Sequence, residues 1–65
     1  MKWTAVKDQE PEKGVELITK IQHFHTKNTR YAILVKGDFD DHDYEHADDM
    51  SELSHDWNVI EFLTK

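Results

Sequence analysis

A small domain, mainly-β or α+β, is the fold class this sequence predicts, and three features predict it. The chain has 65 residues, 37% of them hydrophobic, which suits one small core. Thr29–Lys36 (TRYAILVK) is bounded by Gly37, and its uninterrupted apolar run Ala32–Val35 has the pattern of a strand buried on both faces. Residues 15–24 and 57–63 are rich in β-branched and aromatic side chains, which favour extended backbone. The expected architecture is an antiparallel β-meander of three to four strands, with one short helix or an acidic loop before the last strand.

Taken in order, Lys2–Val6 reads as a short strand with Trp3 as its bulky anchor. Asp8–Gly14 (DQEPEKG) is turn material, since Pro11 fixes φ and Gly14 accepts positive φ. Residues 15–24 fit two patterns. Leu17, Ile18, Ile21 and Phe24 fall at helical spacing, whereas Val15, Leu17, Thr19 and Ile21 alternate as one face of a strand. β-Branching favours the strand. Thr26–Asn28 is a turn, residues 29–36 the clearest strand, and residues 57–63 (WNVIEFL) the last. Between 42 and 54 a short helix would turn Ala47, Met50, Leu53 and Trp57 inward. Acids at 41, 45, 49 and 52 would repel one another along it, so a loop is the other expectation.

Charge is divided unevenly. Residues 1–37 hold seven Lys/Arg and four Asp/Glu; residues 38–65 hold ten Asp/Glu and one Lys. Asp38 to Asp56 contains nine acids and no Lys or Arg. Such a balance disfavours direct binding to nucleic-acid phosphates and points to a basic protein partner. The expected contact residues are Asp38, Phe39, Asp40, Asp41, Asp43, Tyr44, Glu45, Asp48, Asp49 and Glu52, the two rings supplying apolar contact among the carboxylates.

Signals for chemistry are weaker. His42 and His46 stand four apart, a zinc-site spacing on a helix, but no closed ligand set surrounds them. Exposed imidazoles that simply titrate are the plainer reading. His23 and His25 would share a face only in a strand. Asp41, Asp43, Glu45 and Glu52 imitate a calcium loop, yet His46 stands where such a loop needs Gly. Ser54 and His55 are adjacent, and adjacent side chains diverge in either regular structure. With two glycines there is no phosphate-binding loop, and with no cysteine there is no thiol chemistry or disulfide. The chain is therefore expected not to be an enzyme and to use no cofactor. No apolar run approaches a membrane span, and the first residues lack the apolar stretch of a secretory leader, so a cytoplasmic protein is expected.

Trp3, Val6, Asp8, Pro11 and Gly14 lie in the pattern W-x-x-V-x-D-x-x-P-x-x-G, followed by apolar Leu17, Ile18 and Thr19. This opening resembles a family of short uncharacterised phage and prophage proteins. Glu10 stands where that family has Leu, and Val59–Leu63 lacks its closing prolines. The resemblance implies a phage or mobile-element origin, hence a host-cell cytoplasm, a small β-rich fold and no known activity. The leading expectation is an interaction protein whose acidic face imitates nucleic acid and inhibits a basic, nucleic-acid-binding host protein. The alternatives are a small metal-binding module using His42 and His46 with nearby acids, and a protein that self-associates, as in a homodimer, through a sheet edge such as Thr29–Lys36.

Overall fold

The computed structural model describes residues 2–39 and 42–64. Their strands are β1 (Thr4–Ala5), β2 (Glu16–His23), β3 (Thr29–Lys36), β4 (Tyr44–His46) and β5 (Trp57–Thr64). They form one antiparallel sheet in the order β1-β5-β2-β3-β4. No helix among the described residues is long and apolar enough to cross a membrane.

The ambiguity over residues 15–24 resolves to strand, because β2 is the centre of the sheet and hydrogen-bonds on both sides, to β3 and to β5. Its alternation is strict: Leu17, Thr19 and Ile21 are buried, while Ile18, Lys20 and Gln22 lie on the outer face and are partly exposed. Thr19 is buried at no solvent cost to its hydroxyl, which donates to the Ala32 carbonyl at 2.8 Å. The β2–β3 turn closes on backbone bonds from Lys27 to His23 and from His23 to Asn28, with Lys27 at φ 64°. His23 Nδ1 accepts the N–H groups of His25 and Thr26 inside that turn.

A bulge sets which residues of β5 face the core. Lys20 pairs with Glu61 but Ile21 pairs with Val59, so Ile60 is the extra residue. Without the shift, the alternation that buries Phe62 would also point Ile60 and Asn58 inward. With it, Val59 and Trp57 join the buried face. The core on that face is Leu17, Ile21, Leu34, Leu53 and Phe62.

Four expectations are corrected. Residues 42–54 form no helix; they make β4 and a tight return in which His46 N–H bonds Ser51 O and Leu53 N–H bonds Tyr44 O. Cross-strand bonding avoids stacking the acids along one helical face. Met50 sits in that return at φ 62° and is exposed rather than inward. The first strand shortens to two residues, and Trp3 lies outside it, its ring on the outer face 5.7 Å from that of Tyr31. β3 is buried on one face only: Leu34 is fully buried, whereas Ile33 is 44% exposed. The meander holds for β2, β3 and β4, but β5 returns to pair with β2 on its other side.

Candidate functional site

The acid-rich segment is tied to the sheet by its topology. β4 lies at one edge and β5 beyond β2, so the chain between them must cross the buried side. Leu53 makes that crossing as a core residue, packed with Ile21 and Leu34 and flanked by Tyr44, Trp57 and Val59. The carboxylates are carried on a backbone anchored from below.

These acids do not form one equivalent surface. Glu45 and Glu52 are bridged across the return and both turn onto His42. Glu45 Oε2 lies 2.9 Å from Nε2 and Glu52 Oε2 lies 2.9 Å from Nδ1. Donating to both carboxylates takes two N–H groups, which the imidazolium form has. The Phe39 ring stacks on this imidazole at 4.8 Å and closes over Gly37, where a Cβ would come within 2.9 Å of it. Asp38 is exposed and accepts from Lys13 Nζ at 2.6 Å. Asp49 accepts the N–H and hydroxyl of Ser51, first the hydroxyl and then the backbone bond holding its carboxyl below the usual range. Asp43 and Asp48 are exposed. Asp40 and Asp41 lie outside the described residues.

Tyr44 is half-buried against the core, with the Lys36 ammonium 5.2 Å from its ring centre. Lys36 is itself largely buried and pairs with Glu10 at 3.3 Å. Burial pushes the Tyr44 phenol above its ordinary value, and the charges of Asp43 and Glu10 push it the same way. The Asp38 hydrogen bond and charge raise the exposed Lys13 ammonium. Both groups are raised in the folded state, so their stabilisation is complete below the unfolded values and is lost as pH rises through the folded ones. Stability is expected to fall above about pH 10. A Tyr31→Phe variant leaves Tyr44 as the sole phenol; its absorbance titration should have a higher midpoint in buffer than in concentrated urea. Equal midpoints would refute the burial effect.

The candidate metal and nucleophile pairs are placed differently from a working site. The helical face on which His42 and His46 would meet does not form. His42 is engaged by Glu45 and Glu52, and His46 lines a groove with Ile33, Ala47 and Asp48. Among the described residues no group of three or more His, Asp or Glu side chains is arranged to hold a metal ion; in the His42 cluster each ring nitrogen faces a carboxylate oxygen instead. Ser54 Oγ accepts the Asp56 N–H at 3.4 Å within a turn. A shallow depression of about 260 Å³ lies between Tyr44, Leu53, His55 and Trp57, and a larger open groove of about 450 Å³ lies along Tyr31, Ile33 and Ala47.

One feature escapes sequence reasoning. At the tip of the β2–β3 hairpin the His23 ring meets Trp57 edge-on at 5.1 Å and Phe24 at 5.8 Å, while the Arg30 guanidinium lies 5.1 Å over Trp57. The H-F-H run is visible in the sequence, but its partner Trp57 is not a neighbour until β5 pairs with β2.

Fold and site define a small single-sheet β protein with an anchored acidic segment. Comparison with protein-family models, curated proteins and solved structures gives no match.

Proposed function

We propose that this chain is a non-enzymatic interaction protein that presents its acidic segment to a basic protein, of the class that itself binds nucleic acid. The observation that carries the reading is the set of nine acids without Lys or Arg between Asp38 and Asp56, the described part of which is held on the core by Leu53. An ordered backbone lowers the entropy lost on binding, and a one-sided field steers a cationic partner. Among the described residues Asp38, Asp43, Asp48, Asp49 and Asp56 are exposed acids of this surface; Glu45 and Glu52 hold its shape through His42. The N-terminal resemblance supports a phage or mobile-element origin and action in the host cytoplasm.

The test is capture from bacterial lysate on the immobilised protein. A basic, nucleic-acid-binding protein should be retained at low salt, released by high salt and displaced by DNA. An Asp38→Asn/Asp43→Asn variant should bind it about tenfold more weakly through the loss of complementary charge. Retention of nothing basic, or unchanged binding by the variant, would overturn the reading.

A further inference from the structure

The outer edge of β3 is open along half its length. β4 covers only Leu34–Lys36, and Ala47 N–H reaches the Ile33 carbonyl just beyond. The Ala32 carbonyl takes the Thr19 hydroxyl of β2. In an antiparallel ladder successive residues point their backbone groups to opposite sides. Ala32 therefore faces β2, and Thr29 and Tyr31 direct their N–H and C=O groups outward, where no described strand pairs with them. An open edge of this kind is a template for another strand.

What flanks the edge selects the strand. The β2–β3 hairpin has Lys20, Lys27, Arg30 and Lys36 and no acid from Leu17 to Gly37. Its exposed tip places Lys27 at one end of the open edge. The return after β4 places exposed Asp48 at the other end, beside an open groove of about 450 Å³ lined by Tyr31, Ile33, His46 and Ala47. Between the charged ends lie two exposed apolar side chains, Tyr31 and Ile33. The edge is thus basic, apolar and acidic in sequence along its length, and an antiparallel copy of it is its own complement.

We propose that two copies of this chain associate about a two-fold axis by pairing their β3 edges antiparallel, making one continuous sheet across the dimer. Pairing Thr29 of each copy with Tyr31 of the other uses the outward backbone groups of both residues. It brings each Lys27 tip alongside the groove and Asp48 of the other copy, so opposite charges meet twice, as an isologous interface requires. Arg30, at the axis, is turned away from the edge, over Trp57. Asp38 and Asp43 lie at the other end of β3, beyond the Lys36–Tyr44 pair, and stay outside the contact, so the dimer carries two such acidic surfaces.

Sedimentation equilibrium with variants at exposed positions tests this without endangering the fold, which circular dichroism monitors. The wild type should be a dimer at 100 µM (a working concentration of about that order) and dissociate more readily as salt rises. Lys27→Glu and Asp48→Lys should each weaken self-association at least about tenfold, because like charges then face each other at both ends. Mixing the two variants should restore a dimer, since both contacts in the mixed species are attractive. Thr29→Pro, which removes an outward N–H, should leave monomers. A monomeric wild type, a mixture that stays monomeric, or a dimer indifferent to Thr29→Pro would each overturn the proposal. Neither charge variant alters Asp38 or Asp43, so failure here leaves the partner test above to stand or fall by itself.

Discussion

Leu34→Ala is expected to leave the protein largely unfolded at room temperature. Leu34 is fully buried at the crossing of the two pairings that organise the core, opposite Leu17 on β2 and His46 on β4. It also touches the one core residue contributed by the acidic segment, Leu53. Leu→Ala at such a site costs about 2–5 kcal/mol, a transfer loss plus a cavity. A single core in a chain of this length supplies only about 3–5 kcal/mol, and no cysteine is present to add a disulfide. The loss is therefore comparable to the whole stability. Urea titration followed by tryptophan fluorescence would show little or no folded baseline, whereas Ile33→Ala, one residue away on the exposed face, should keep its transition within about 1 kcal/mol of wild type. Equal effects at the two positions would mean that the outer face is as buried as the inner one.

That contrast marks how far the sequence could be read. The limits of β3 were legible because a continuous apolar run met a glycine, and those of β2 because β-branching outweighed a coincidental helical spacing. The one-sided burial of β3 was not, since an apolar run reports capacity for burial and not what the rest of a short chain can cover. The helical spacing of Ala47, Met50, Leu53 and Trp57 came from a tight return that puts Met50 at φ 62° and Leu53 beneath. Local periodicity cannot separate those two origins. For the site, the block of acids was evident by count alone. Which of them face outward depends on the Glu45–Glu52 pairing across the return, a register that no local pattern states. The cluster of His23, Arg30 and Trp57 likewise exists only after β5 has paired with β2.

Leu53→Ala is expected to separate the shape of the acidic segment from its charge. Leu53 is the only residue of the described part of Asp38–Asp56 that is buried in the apolar core, and it packs on Ile21 and Leu34. Leu53 is 9% exposed where Leu34 is fully buried, so truncating it should cost near the lower end of the Leu→Ala range, about 2 kcal/mol, and leave the sheet folded beneath a loosened segment, whereas Leu53→Met, close in volume, should cost less than about 1.5 kcal/mol. Both variants keep all nine acids, so their net charge and long-range field are those of the wild type. A partner that responds to negative charge alone would bind the three proteins alike. A partner that reads carboxylates held in place must order the loosened segment on binding, and that ordering is subtracted from its affinity. Binding at low salt should therefore fall steeply for Leu53→Ala and stay near wild type for Leu53→Met. The amides of His46 and Leu53, which bond Ser51 and Tyr44 across the return, should lose protection from hydrogen exchange in Leu53→Ala and keep it in Leu53→Met. Undiminished binding by Leu53→Ala, alongside lost amide protection, would show that charge density suffices and that the anchoring by Leu53 serves only the fold.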